Sequence, residues 1–314
     1  MATPQYATEQ LIANVKRRCA VPTSQLTYTP ADFTAIANDE LQGQVVPLIM
    51  STREEYFVTH DDQQLENGEL EIPSNAVGEK LRSTCLVVST NPLILVNVPR
   101  IDLDVVAGVG YANYNVLCGL YIEGNKLKPY PPQSVTSNAT FRFYYYKRTL
   151  VLADPSAYGQ ITAIDSGTNT ITLSFVPYDW EAGTELNAVS QSSPFEITSS
   201  LITASAVSSP SVICDSVDGL SIGDYVSEYG YSAIPQVPVE AHAYLAQLTA
   251  VKALEGLGDR TGMEAALAEA NILKKSLMVM ISQRVDGSVK KVINPNGGLR
   301  MSAGVWRRGF GGGY

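Results

Sequence analysis

The sequence predicts an α+β fold: a helical bundle formed by both chain ends, an inserted antiparallel β module (small barrel or sandwich) and an extended C-terminal arm. Apolar residues recur at helical spacing at both ends, and the period changes to two in the middle. The last thirty residues interleave glycine with basic and aromatic residues. The predicted segments are residues 1–65, 66–237, 238–284 and 285–314.

Two helices are predicted in residues 1–65. Thr8 is a candidate cap for the first helix, which Pro22 ends. The second helix covers Thr29–Tyr56, with a capping threonine followed by proline at the first helical position. Pro47 lies inside this run and lacks a backbone donor, so we expect a kink immediately before it.

The middle of the chain has the pattern of a β module. The polar stretch His60–Gly68 is predicted to link it to the helices, and strand-like alternation follows up to Val237. Residues 161–186 resemble residues 202–226 at an offset of 41, which falls to 40 after one gap. Each copy is predicted to be a three-stranded meander, and two such meanders are typical of a small barrel or a pair of packed sheets.

Helical spacing returns after Pro238. The first helix is predicted over Val239–Leu257, and a capping box formed by Thr261 and Glu264 starts a second that runs to about Arg284. The predicted buried stripe of that second helix is Leu267, Ala270, Leu273, Leu277 and Met280.

Charge is unevenly distributed along the chain. The formal net charge is −9, and no Lys or Arg occurs from Thr149 to Val251, where there are eleven acidic residues. Residues 239–314 are +4 and the remainder is −13. An acidic total argues against a general nucleic-acid coat, which needs a basic surface to displace counterions.

The C-terminal arm has two possible interpretations. It could contact nucleic acid, because basic and aromatic residues separated by glycine are common in such arms. Alternatively it docks in a groove of a protein partner, which the acidity of the remaining chain favours. The candidate partner-binding residues are Lys290, Lys291, Arg300, Trp306, Arg307, Arg308, Phe310 and Tyr314.

The search for catalytic motifs predicts no enzyme. Gly219–Gly223 fits the G-x-S-x-G pattern around Ser221, but strand-like residues follow it where a nucleophile elbow requires a helix. A β-turn is the favoured interpretation, and a hydrolase using Ser221 is the least favoured hypothesis. The two histidines, His60 and His242, are predicted to be solvated or at interfaces.

No metal or cofactor site is predicted either. The sequence has no zinc-ligand spacing, EF-hand loop or P-loop, and Gly256–Gly262 lacks the spacing of a dinucleotide fingerprint. The four cysteines are widely spaced, so free thiols are favoured over two disulfides.

Two runs resemble the head–tail connector (adaptor) proteins of tailed bacteriophages. They are LIANVKRRCAVPTSQ followed by TPADFTAIANDELQGQVVPLIMSTREEYFV, and IPQVPVEAHAYLAQLTAVKALEGLGD near the C-terminus. The resemblance covers both ends of the chain and, more weakly, the β repeats. It implies a helical core, a ring, usually twelvefold, beneath the portal, and a terminal arm that reaches the portal.

The resemblance leads to a functional expectation. We expect a structural virion protein of the phage neck or tail, assembled in the host cytoplasm, that joins the portal to downstream tail or fibre proteins. DNA would pass through the ring during ejection without specific binding, and no membrane would be contacted. The alternative is a tail- or fibre-associated binding module whose acidic β region recognises a receptor or another tail protein.

Overall fold

Helices occupy both ends of the described chain, and antiparallel strands fill its middle. The computed structural model describes residues 7–20, 27–102, 104, 117–132, 135 and 138–282. The predicted mixed α+β class with antiparallel sheets is confirmed. Within the described ranges, no helix is both long and apolar enough to span a membrane.

The helices with described bounds form two groups in the chain. They are α1 (Thr8–Arg18), α2 (Pro30–Glu40), α3 (Val46–Thr52), α4 (Val239–Leu257) and α5 (Arg260–Ile281). A π-helical turn, Leu41–Val45, joins α2 to α3, and a 3-10 turn, Glu54–Phe57, follows α3.

The N-terminal caps were predicted correctly for α2 and wrongly for α1. Thr29 Oγ1 accepts the N–H of Asp32, whose carboxylate accepts the N–H of Thr29 at 2.7 Å. The Thr29 hydroxyl also donates to this carboxylate at 2.7 Å, and the hydrogen bonds from the Thr29 hydroxyl and N–H lower the pKa of Asp32. Ala7, not Thr8, occupies the cap position of α1. The Thr8 hydroxyl instead donates to Ala233 O at 2.9 Å and ties α1 to the segment that precedes α4.

The disturbance expected at Pro47 takes the form of the π-helical turn. Pro47 lies in the first turn of α3, directly after that turn. Because proline has no N–H, the regular hydrogen-bond ladder is broken here, and a π turn is one way in which a helix adjusts to such a break. Gln42 in this turn donates to Thr149 Oγ1 at 2.8 Å and links the helices to the β region.

Two details of the C-terminal helices differ from the prediction. Asp259 caps α5 by accepting the Gly262 N–H at 2.9 Å, so the capping box predicted at Thr261 is wrong. The stripe that α5 buries also differs, because Leu267 and Met280 are exposed. The fully buried residues of α5 are Ala266, Ala270, Leu277 and Ile281.

The helices from the two chain ends share one hydrophobic cluster, which we call the helical core. Phe33 of α2 and Leu245 of α4 have no exposed surface within it, and α4 is buried on nearly all sides. Arg18 of α1 contacts Gln247 of α4 and lies 3.4 Å from the Glu269 carboxylate of α5. Residues far apart in sequence therefore build this core.

The strands form a barrel and smaller sheets. Their bounds are β1 (Val58–Gln64), β2 (Leu70–Glu71), β3 (Ala76–Thr90), β4 (Leu93–Val98), β5 (Gly119–Glu123), β6 (Lys126–Tyr130), β7 (Thr140–Lys147), β8 (Val151–Leu152), β9 (Tyr158–Asp165), β10 (Thr170–Leu173), β11 (Glu185–Val189), β12 (Ile197–Ser208), β13 (Ser211–Cys214), β14 (Tyr225–Glu228) and β15 (Tyr231–Ser232).

The sheets separate along the chain. One sheet has the order β1-β7-β3-β4, a second has the order β2-β6-β5, and β8 pairs in parallel with β15. Strands β9 to β14 close into a six-stranded barrel of order β10-β13-β12-β11-β14-β9. Strand β1 corrects the prediction, since it covers part of the polar stretch assigned to a linker. It forms because β7 supplies a full antiparallel partner and Arg142 binds both carboxylate oxygens of Asp62 at 2.7 Å.

The barrel follows the internal sequence repeat. Strands β9–β11 and β12–β14 are the two copies, and exchanging them leaves the cyclic strand order unchanged. Ile171 pairs with Val212, its own equivalent at offset 41, and Asn187 pairs with Ser227, its equivalent at offset 40. A pseudo-two-fold axis therefore passes through these two pairs.

Hydrogen bonds between the copies obey the same relation. The Leu173 N–H donates to Pro210 O at 2.9 Å, and the Cys214 N–H donates to Asn169 O at 2.8 Å. The two donors, Leu173 and Cys214, are equivalent residues of the two copies at offset 41, and so are the two acceptors, Asn169 and Pro210. The weak repeat in the sequence thus corresponds to equivalent backbone positions in the barrel.

Candidate functional site

The partner-binding residues predicted from the sequence lie outside the described residues, so their role stays a prediction. They are Lys290, Lys291, Arg300, Trp306, Arg307, Arg308, Phe310 and Tyr314. The candidate sites below therefore come from residues 7–282.

The two histidines occupy different environments. His60 is exposed on β1, with its ring 5.9 Å from that of Tyr144. His242 of α4 is only 2% exposed, its Nε2 lies 3.3 Å from Val237 O, and its ring lies 5.4 Å from that of Phe195. Burial lowers the pKa of His242 to about 4. The expectation of a solvated or interface position is thus wrong for His242 within this chain, since α4 is the centre of the helical core.

Ser221 does not lie in a nucleophile elbow. Its segment forms turns that lead into β14, and its N–H donates to the Asp224 carboxylate at 3.0 Å. The equivalent N–H in the first repeat, that of Glu181, donates to Thr184 Oγ1 at 3.0 Å. The G-x-S-x-G match is therefore one of the two copies of a turn that occurs in each repeat and leads into a barrel strand.

The titratable groups of the described chain do not assemble into a metal site. In the ranges given above, no group of three His, Cys, Asp or Glu residues is placed to hold a metal ion. No disulfide joins the cysteines, all four of which lie in the described residues, and burial raises the pKa of Cys19 and Cys214 to about 11.

A groove of about 350 Å³ lies between the 3-10 turn, the end of β7 and the start of β12. Lys147, Glu196 and Tyr56 line it, and the Tyr56 hydroxyl donates to Pro194 O at 3.3 Å. Burial lowers the pKa of the Lys147 ammonium, while the nearby Glu196 carboxylate acts in the opposite direction. The groove therefore places one amine of lowered pKa beside one carboxylate.

Helix α5 has a second apolar stripe on the side opposite the helical core. Ile272 is 67% exposed and Val279 is 59% exposed. They lie seven residues apart, which is two helical turns, and the polar residues Lys275 and Ser276 lie between them on the same side. The small exposed residues Ala265 and Ala268 continue the stripe towards the start of the helix. We call the four apolar residues Ala265, Ala268, Ile272 and Val279 the outer stripe of α5. Helices with apolar residues on two sides are normally covered on both.

The hairpin formed by β3 and β4 is a second exposed apolar feature. Val88 is 58% exposed and Val96 is 50% exposed, and Leu93 and Ile94 are exposed to a similar degree. No charged residue occurs between Arg82 and Arg100. Exposed apolar surface of this kind typically marks a protein contact.

No protein-family model matches the chain, and no curated protein matches it. The functional argument therefore depends on the surfaces described above. Sequence reasoning missed both apolar surfaces, although the uncharged run between Arg82 and Arg100 was readable. The side of α5 that faces the core was predicted correctly, but Leu267 and Met280 at its two margins are exposed, and the apolar residues on the opposite side were not considered.

Proposed function

We propose that this chain is a structural virion protein that forms a head–tail adaptor ring between the portal and the tail. In this proposal the helices of both ends form the ring-building bundle, and the β region is a module inserted into it. The outer stripe of α5 carries the argument, because Ile272 and Val279 form an apolar helix surface that the described chain leaves exposed. A neighbouring copy packed there would bury it.

The charge distribution supports the same arrangement. A body at −13 repels its own copies, so a ring needs apolar contacts between them and a basic arm to hold a partner. The arm from residue 285 would bind the portal. The acidic wall would let DNA pass without trapping it. We propose twelve copies in the ring, which is the usual number among the adaptors that the chain resembles. The ring would also contact downstream tail or fibre proteins.

The experiment is a mass measurement of the purified full chain, alone and after mixing with its portal. We expect a discrete ring, and a larger complex when portal is present. The variant Ile272→Lys should shift the particles towards monomer, because a charge then lies in the buried contact. The matched control is Asn271→Lys, which adds the same charge to the next exposed position of α5.

Two outcomes would contradict the proposal. A wild-type chain that stays monomeric and never binds portal removes the adaptor function. A ring that Ile272→Lys leaves intact removes the outer stripe as its contact. Deleting residues 285–314 should leave the ring and abolish portal binding, which separates the arm from the bundle.

The barrel supports a second candidate, a module that binds a receptor or another tail protein. Tyr178 is fully exposed and Phe175 is about half exposed, both in the connection between β10 and β11. Aromatic side chains at such positions commonly anchor protein contacts. The double variant Tyr178→Ala and Phe175→Ala should then abolish attachment to isolated tails while ring mass is unchanged. Unchanged attachment would remove this candidate.

A further inference from the structure

The β3–β4 hairpin is apolar on both faces over its outer part. Leu93 and Leu95 alternate with Ile94 and Val96 along β4, so each face of the hairpin carries aliphatic side chains. Leu95 is half-buried and the other three are exposed. A hairpin that lacks a core beneath it is only marginally stable in water by itself. Its outer part therefore needs a partner.

This outer part also has two open backbone edges within the described chain. Strand β4 pairs with β3, and none of the described strands lies on its other side. Strand β3 pairs with β7 only as far as Leu86, which lies opposite Phe141, so Val87–Thr90 have β4 as their neighbour and an open second edge. Both open edges belong to the uncharged run.

The opposite edge of the same sheet is protected in a way that this one is not. Strand β1 carries His60, Asp61 and Asp62, and charged residues on an edge prevent another strand from pairing there. Strand β4 has no charged residue. The charges therefore oppose pairing at the β1 edge, and no charge on β4 opposes it there.

We propose that β4 pairs in antiparallel fashion with Val87–Thr90 of the next copy, so that the hairpins of a ring form one continuous closed sheet. In a ring every β3 runs in the same direction, and β4 is antiparallel to its own β3, so it is antiparallel to that of the neighbour as well. Each copy contributes one edge of each kind, and closure leaves none open. This inference rests on the proposed ring.

A second copy is the occupant that the charges favour. Outside the apolar surfaces of the hairpin and of α5 the body is acidic, so two copies that meet there place carboxylates opposite each other. The uncharged hairpin allows close approach without that repulsion. Pairing between two β4 strands about a two-fold axis would satisfy only one of the two edges and leave Val87–Thr90 open.

The first experiment places a charge on the pairing edge of the full chain. The variants Ile94→Lys and Val96→Lys should lose the ring mass seen for wild type, while retaining its circular dichroism spectrum. The control is Ile222→Lys, a 64% exposed apolar residue in a barrel turn, which should assemble normally. Rings of normal mass in both hairpin variants would overturn the hairpin pairing and leave the adaptor proposal standing. A monomeric wild type would overturn both.

The second experiment distinguishes the two modes of pairing. Copies that carry Ser89→Cys are mixed with copies that carry Val96→Cys, and an oxidant is added so that only thiols on directly adjacent strands form disulfides, with wild type as the background from native thiols. Pairing of β4 with the neighbour's β3 predicts a cross-linked dimer in the mixture and none with either variant alone. A dimer formed by Val96→Cys alone, or no dimer above background in the mixture, would overturn the proposal.

Discussion

The helical core draws its residues from both ends of the chain, whereas the barrel draws its own from the contiguous segment 158–228. Phe33 meets α4 across about two hundred residues of chain, while Ile171 meets Val212 across about forty. Closing the longer loop costs more entropy, so we expect the helical core to form after the barrel, whose meanders pair over shorter distances along the chain. The two regions should therefore respond differently to damage.

The largest expected effect is in the helical core. Phe33 has no exposed surface, so Phe33→Ala should lower the free energy of unfolding by about 3–5 kcal/mol through lost burial and a cavity. Hydrogen exchange should show weaker protection in α2, α4 and α5, with the barrel strands unchanged. Equal loss of protection in β9–β14 would show that the two regions unfold as one and would break the comparison.

A matched pair of glycines tests the packing of each region. A Cβ at Gly159 in β9 would lie 2.1 Å from the backbone oxygen of Phe175, so Gly159→Ala should cost about 1–3 kcal/mol. A Cβ at Gly256 in α4 would meet the hydroxyl and Cζ of half-buried Tyr28, the end of a side chain that can move, and no backbone atom.

The helix itself gains about 0.5–1 kcal/mol from alanine in place of glycine, so Gly256→Ala should be close to neutral. Urea unfolding of the two variants measures the difference. A larger loss for Gly256→Ala than for Gly159→Ala would contradict the expectation that backbone packing at Gly159 tolerates an added methyl less well than the Tyr28 side chain does at Gly256.

His242 joins the two regions, because its ring packs on Phe195 in the turn between β11 and β12. Its folded pKa of about 4 lies below the ordinary 6.5, so the unfolded chain binds the proton more tightly. The free energy of unfolding must therefore fall as pH drops from 6.5 towards 4. Between pH 7 and pH 5 the loss should be about 2 kcal/mol.

The variant His242→Phe isolates this contribution, since carboxylates also titrate at low pH. Its free energy of unfolding should fall less than that of wild type between pH 7 and pH 5. His60→Phe is the matched control, because His60 is exposed, and it should keep the wild-type dependence. The same pH dependence in wild type and His242→Phe would show that burial of this ring does not couple the regions.

The smallest expected effect is at the caps. Thr29→Ala removes the acceptor for the Asp32 N–H and should cost about 1 kcal/mol in α2. Thr261→Ala is the control, because Asp259 and not Thr261 caps α5, so this variant should stay near the wild-type value. Thermal unfolding followed at the helix signal compares them. A larger loss of stability for Thr261→Ala than for Thr29→Ala would show that Thr261, and not Asp259, caps α5.

Local features of the fold were predictable, and features that depend on distant contacts were not. The start of α2 and the bounds of α4 were predicted because capping residues and glycine act within one turn. Strand β1 was missed because its residues are polar on both faces and its stability comes from β7. The choice of Asp259 over Thr261 was missed because two capping residues compete within one turn, and the sequence shows both.

The candidate sites divide in the same way. The basic and aromatic arm and the uncharged run between Arg82 and Arg100 are properties of composition and can be read directly. To find the outer stripe of α5, one must know which of the helix's apolar residues the core leaves exposed. The sequence shows apolar residues on two sides of the helix but not which of them are exposed. The open edge of the hairpin could not be predicted from the sequence, because it depends on where the pairing of β7 with β3 stops.

The sequence by itself determined the α+β class, the position of most helices and the repeat that relates β9–β11 to β12–β14. These follow from short-range periodicity, which each segment carries alone. Only the tertiary structure decided that His242 is buried and that β4 has an open edge among the described residues. Those properties depend on which segments meet in space, and burial and strand pairing are settled by partners that lie far away along the chain.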